Sequence, residues 1–345
     1  MNLARGFRGG ERQTELLVRA LAESGWAQRV VARAGEPLAA RLRGLSDIEV
    51  RECPGTLGAA RTIGRPDLIH VHEGRSLRSA WLNGIFTGAP YVVTRRVQKG
   101  PRAHPFNRML YRRAAGIVTL SRAIRSSIQQ LDPALPCVVI PSASSGLQAD
   151  HTAARALRQK WGGDFIVGHV GALIAAQKGQ MQIVEVARAL SGSHPGMRFV
   201  LVGCGPDEAL LREATRDLAN VILAGQVTDV GTYLAAFDAF LFPSRFEGLG
   251  SILLDALEFG LPIVATRVGG IPEVVEDGSN GILIEDGDLE GMKAALSLLA
   301  SDPGLCLRVS KTNLEKAEGY SPEQMARSYL AVYEQIAFDG ITNGL

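Results

Sequence analysis

Glu247 and the small residues Gly248 and Gly250 follow an apolar run, AAFDAFLFPS (235–244), whose last part has the character of a buried strand. An apolar helical stretch over 251–259 comes next and is stopped by Gly260 and Pro262. IVAT (263–266) has the length and β-branching of another buried strand, and it leads into Gly269-Gly270 and a second carboxylate, Glu273. Two strand–loop–helix junctions therefore stand side by side, each with glycines and an acid. Glycine lets backbone N–H groups come close to a ligand, and a helix N-terminus attracts phosphate. Carboxylates nearby suit hydroxyl groups, as on ribose or a hexose. The combination is the chemistry of a sugar-nucleotide site.

The whole stretch, FPSRFEGLGSILLDALEFGLPIVATRVGGIPEVV (242–275), resembles the nucleotide-sugar motif of the retaining glycosyltransferases of family 4 (glycosyl transferases group 1). Their pattern is E-x7-E, set in PS-x-x-EG-x-G and followed by GLP-V-A-T and GG-x-x-E. Glu247 takes the first acidic position, and the second falls on Asp255, one methylene shorter than the family's Glu. The rest of the segment matches in register. The resemblance is strong from about 165 to 300 and weaker before that. It implies an α/β fold of the GT-B type: two Rossmann-like doubly wound parallel-sheet domains facing an interdomain cleft, with a C-terminal helix crossing back to the N-terminal domain. On this pattern 1–150 is the acceptor-binding domain, 151–318 the nucleotide-sugar domain and 319–345 the returning helix.

The resemblance also assigns roles. Glu247 would contact sugar hydroxyls, the N–H groups of Leu249 and Gly250 would hold the diphosphate with Gly248 also on the donor side, and Asp255 would hold the ribose. GALIAAQKG (171–179) aligns with the family's GR-L…KG, so Gly171 and Lys178 face the diphosphate, while Ala172 replaces an arginine. Gly203, in GCGP, and Gly225 close the next two strands near the nucleotide. The pair Gly9-Gly10 precedes a helix over 11–24, where Gly10 would meet the donor phosphates. Only MNLARGFR precedes these glycines, so either Met1 is not the true start or the usual first strand is abbreviated. His70 and His72 end a strand and share one face, because side chains alternate. His72, Glu247 and Lys178 are the catalytic candidates. Arg95 and Arg96 stand where many relatives have histidine, and with Glu73 they are the acceptor candidates, since arginine holds phosphate bidentately. No metal ligand set or cofactor is expected. The nucleotide diphosphate sugar, a UDP-sugar by preference, is a co-substrate.

Short apolar runs alternate with amphipathic stretches along all 345 residues. Strands are expected at 28–34, 68–72, 90–94, 115–120 and 137–141. After a polar, glycine-rich passage (142–163) they resume at 165–171, 198–203, 220–225, 239–244, 262–266 and 281–284. Such alternation implies parallel sheets covered on both faces, with ligands at the carboxyl ends of the strands. The tail, 320–337, reads as a helix with Ser321 as N-cap and Pro322 at N1. The four cysteines are scattered without CxxC spacing and fit a reducing compartment. No apolar run reaches the ~18 residues of a membrane span, and a cytoplasmic protein, peripheral on the inner membrane face, is expected.

Net charge is only +2, yet from Gly74 to Leu131 there is no Asp or Glu and there are eleven Lys or Arg. Such a block attracts phosphate-bearing partners. A phosphorylated lipid-linked or glycan acceptor of lipopolysaccharide synthesis, or an anionic membrane surface, fits it. Nucleic acid does not, because few aromatics are interleaved. A nucleotide-sugar epimerase of the same fold, an inverting transferase and a non-catalytic donor-binding subunit remain as competing readings.

Overall fold

The computed structural model describes residues 1–342. The chain divides into two compact units, one comprising Met1–Ser145 with Tyr320–Leu345, the other Gly146–Gly319.

In the first unit the strands are β1 (Gln28–Arg33), β2 (Ile48–Cys53), β3 (Ile69–Val71), β4 (Tyr91–Arg95), β5 (Gly116–Thr119) and β6 (Cys137–Val139). All pair in parallel, β1 with β2 and β3-β4-β5-β6 in sequence order. The N-terminal residues join these two sheets. The Asn2 N–H donates to the Val31 carbonyl and the His72 N–H to the Met1 carbonyl, both at 3.0 Å. Asn2 forms an isolated parallel bridge with Ala32, and Leu3 is fully buried in the core. Residues 1–3 thus run between β1 and the end of β3.

The tail helix, Pro322–Thr342, folds onto this unit. Its Tyr329 and Tyr333 share a core with Leu17 and Leu21 of the helix Gly9–Glu23 and with Val92 and Val118 of β4 and β5. Ser321 caps the tail helix, its Oγ accepting from the Gln324 N–H at 3.2 Å.

The second unit has β7 (Phe165–Val170), β8 (Met197–Val202), β9 (Val221–Gly225), β10 (Ala239–Phe242), β11 (Ile263–Thr266) and β12 (Gly281–Ile284). Their order across the sheet is β12-β11-β10-β7-β8-β9, all parallel. β10 and β11 are buried at every residue, as expected of central parallel strands. The strand order reverses between β7 and β10, the switch point at which open α/β sheets bind ligands.

Three expectations need correction. β2 was not expected: it alternates Ile48, Glu49, Val50, Arg51 and lies at a sheet edge, half-buried, so it lacks a continuous apolar run. The passage 142–163 contains a helix, His151–Trp161, whose N-terminal N–H groups at Thr152 and Ala153 are accepted by the Asp150 carboxylate at 2.8 and 3.0 Å. The first helix starts at Gly9, so both glycines lie inside its first turn, where Glu11 accepts the Arg8 N–H at 3.0 Å.

Candidate functional site

In the second unit the loops leaving β7 and β10 meet at the switch point. The loop after β7 carries the short helix Ala175–Lys178, and the Arg245 N–H donates to the Gln177 carbonyl at 2.8 Å, tying it to the loop after β10. This stitch presents Lys178 to Glu247, and the ammonium and carboxylate form an ion pair. The Lys178 ammonium also stands 5.4 Å from the Phe242 ring centroid. The two side chains are 17% and 16% exposed, so the pair is largely withdrawn from bulk water and its field is less screened.

Gly250, at φ +82°, precedes the helix Ser251–Glu258. A Cβ there would stand 3.0 Å from Leu253 Cδ1 and 3.2 Å from Phe242 Cε1. Glycine is therefore required by backbone angle and by space. The turn brings Gly248, Leu249 and Gly250 to the N-terminal end of that helix, beside Glu247. Asp255 lies in the same helix between Leu254 and Ala256 and is only 5% exposed, an unusual place for a carboxylate.

The three strand-end glycines come together on the same sheet edge. The Gly171 N–H donates to the Val202 carbonyl at 3.0 Å, and the Gly203 N–H to the Gly225 carbonyl at 2.8 Å. At Gly203 a Cβ would sit 1.9 Å from the Gly171 carbonyl oxygen, so these loops approach each other through glycine alone. Ala172, in the family's arginine position, is exposed. The nearby Arg245 guanidinium is turned to Asp286 at 3.3 Å.

His169, at the end of β7, was not singled out in the sequence. It is 1% exposed, and its Nδ1 donates to the Leu241 carbonyl of β10 at 3.0 Å. Nε2 then accepts from the Gln180 amide at 3.3 Å, and the same amide donates to the Ala172 carbonyl at 2.9 Å. Burial pushes the imidazole pKa down to about 4, which keeps it neutral. His169 thereby latches the two strands of the switch point directly beneath the Lys178–Glu247 loops. A lone histidine in an otherwise apolar strand was the available signal.

In the first unit His70 and His72 do share a face, with ring centroids 3.9 Å apart. His70 is structural: its Nε2 meets the Thr94 hydroxyl at 2.7 Å and its Nδ1 the Tyr333 hydroxyl at 2.6 Å. Burial lowers the pKa of His72 well below the ordinary histidine range, with His70 and Arg96 adding to the effect. Arg96 donates to His72 Nδ1 at 3.3 Å. Because arginine cannot accept, the His72 proton belongs on Nε2, and the ring presents an N–H rather than a free base. Gly10 lies beside the same arginine, 3.7 Å from Arg96 Cδ for a notional Cβ.

Arg95 and Arg96 part company at the strand end. Arg96 turns to His72, while Arg95 donates to the Lys99 carbonyl at 2.7 Å and lines a cavity with Gly74 and Arg75. Glu73 accepts from the N–H groups of Leu3 at 3.3 Å and Arg75 at 2.7 Å and from the Ser76 hydroxyl. Its carboxylate organises the loop after β3.

The family models fall on the two units in turn. The glycosyl transferase 4-like domain matches residues 8–143, and the glycosyl transferases group 1 domain matches 164–302. The first unit thus matches a glycosyl transferase 4-like domain and the second a glycosyl transferases group 1 domain. Among similar proteins, the lipopolysaccharide core biosynthesis glycosyltransferase LpsE of Rhizobium meliloti is 32% identical over 158 residues, 45% of each chain. The alpha-D-kanosaminyltransferase of Streptomyces kanamyceticus is 28% identical over 312 residues, 82% of this chain and 76% of the relative. The matches to the first curated relatives span about half their length or less. The crystal structure of Anabaena HepE in complex with UDP superposes with a TM-score of 0.83 at 19% identity, covering 97% of this chain and 98% of that one. The fold of this chain is GT-B. Among its described residues no helix is long and apolar enough to cross a membrane.

Proposed function

We propose that the chain is a retaining, metal-independent glycosyltransferase. It moves a sugar from a nucleotide diphosphate sugar, foremost a UDP-sugar, to a glycan or phosphorylated lipid-linked acceptor of bacterial envelope synthesis. The observation that carries this reading is the Lys178–Glu247 ion pair at the β7/β10 switch point, beside the glycine-led helix at Gly250. The UDP in the HepE complex and the lipopolysaccharide role in the name of LpsE support the choice of donor and acceptor.

In this mechanism Lys178 offsets the charge that gathers on the departing nucleoside diphosphate. The N–H groups of Leu249 and Gly250 add fixed dipoles, and Gly171, Gly203 and Gly225 allow backbone to approach phosphate and base. Preorganised donors of this kind supply a large part of the rate in group transfer. Glu247 accepts hydrogen bonds from sugar hydroxyls, and Asp255 from the ribose. In this reading retention takes the route that the family resemblance implies, same-face substitution through an oxocarbenium-like state. The His72 tautomer supports this over an inverting route with His72 as base, because the nitrogen not bonded to Arg96 already carries a proton and cannot abstract one. Arg95 and Arg96 serve the acceptor side, and Glu73 positions the loop after β3. The protein would work in the cytoplasm, on the inner face of the membrane.

Titration calorimetry with UDP, followed by assay of nucleotide release from UDP-sugars, tests the proposal. Binding with release supports it. Binding without release in the presence of acceptor extracts would reduce the chain to a donor-binding module.

A further inference from the structure

The cavity beside Arg95 belongs wholly to the first unit and has a volume of about 840 Å3, within the usual range for a small-molecule site. Five arginines line it: Arg33 at the end of β1, Arg75 and Arg78 after β3, Arg95 at the end of β4, and Arg102 in the following loop. No Asp or Glu is among its lining residues, and among the described residues none of the five arginines forms an ion pair. Four of the five come from the acid-free block, and Arg33 joins them only through folding. Arg95 Nε is buried without a hydrogen-bond partner. Unmatched guanidinium groups converging on one hollow repel each other unless an anion joins them.

The backbone adds to the same polarity. Gly55 and Thr56 at the rim open the helix Thr56–Ile63, which has no side-chain cap, so its first N–H groups are available to an anion. Leu77, Leu110 and Tyr111 supply an apolar wall. The hollow lies outside the carboxyl ends of β1 to β4, the edge at which such sheets bind ligands. A concave, part-apolar site fits a phosphate group carried on a compact organic body better than it fits a flat membrane surface.

We infer that this five-arginine cavity binds a phosphorylated sugar, and, resting on the glycosyltransferase reading, that this sugar phosphate is the charged part of the acceptor. Arginine forks match phosphate oxygens bidentately, which makes the site selective for phosphate esters over neutral glycans.

The test is titration of the full chain with glucose 6-phosphate under saturating UDP, so that the nucleotide site is filled. The wild type should bind it, and Arg75→Ala combined with Arg102→Ala should weaken that binding at least tenfold. Both side chains are exposed and unpaired among the described residues, so the thermal midpoint should hold, and UDP affinity should be unchanged. Arg78→Ala gives an independent second variant with the same expected loss. Absence of glucose 6-phosphate binding, or binding indifferent to these substitutions, overturns the inference. So does binding to phosphatidylglycerol vesicles without binding to the soluble sugar phosphate. Failure to bind UDP would instead remove the glycosyltransferase reading and leave the sugar-phosphate measurement to stand alone.

Discussion

Lys178 and Glu247, 69 positions apart in sequence, meet in an ion pair where the loops after β7 and β10 touch. Each holds the other in a geometry that a flexible lysine would not keep by itself. Lys178→Ala should lower nucleotide release by at least ~100-fold, because a charge positioned at the leaving group acts mainly in the transition state. Stability should fall by about 1–3 kcal/mol, because the pair is largely withdrawn from water and Glu247 loses its partner. Steady-state kinetics and denaturant unfolding measure the two effects separately.

Asp255 tests the ribose assignment. Asp255→Ala should weaken UDP binding by ~1–3 kcal/mol, the range for a hydrogen bond to a charged group. Asp255→Glu should keep most of the affinity, since it installs the residue found in the E-x7-E pattern. Calorimetry decides this, and equal affinity in wild type and the alanine variant would remove Asp255 from the nucleotide site.

The His169 latch predicts a pH dependence. Its folded pKa of about 4 lies below the ordinary 6.5, so the unfolded chain binds a proton that the folded chain refuses. The stabilisation is fully present above pH ~6.5 and is lost as pH falls from there toward 4. Between pH 7 and pH 5 the wild type should lose about 2 kcal/mol more stability than His169→Gln, by the linkage relation. Urea unfolding of both proteins at the two pH values provides the comparison. Parallel losses would mean that His169 is not buried neutral.

The tail helix is fastened through His70. Tyr333→Phe removes the 2.6 Å contact to His70 Nδ1 and leaves a buried ring nitrogen unpaired. The expected cost is ~1–3 kcal/mol, seen as a lower thermal midpoint with UDP affinity unchanged. An unaltered midpoint would show that the Tyr333–His70 contact does not fasten the tail, leaving its apolar packing and the Tyr329–Thr94 hydroxyl contact.

The fully buried strands were legible in the sequence because burial on both faces leaves an uninterrupted apolar run, as in AFLF and IVAT. β2 was not, since an edge strand with one solvated face mixes Glu49 and Arg51 into its pattern. The glycine loops and Glu247 could be read because a strand–helix junction restricts residue type strongly. The Lys178–Glu247 contact could be expected only from resemblance, as no spacing rule joins residues on different loops. Arg95 and Arg96 looked equivalent as neighbours. Their separation into a cavity and a histidine contact follows from strand alternation, and that shows only once the strand end is located. Arg33 and the His169 latch depend on which strands become neighbours, which the local sequence does not encode.

The central claim is that Glu247 acts on the sugar of a nucleotide diphosphate sugar, and the direct measurement is nucleotide release by Glu247→Ala against wild type. With the UDP-sugar that the wild type turns over, the variant should be at least ~100-fold slower while its thermal midpoint stays nearly unchanged. Near-normal release by Glu247→Ala would contradict the account.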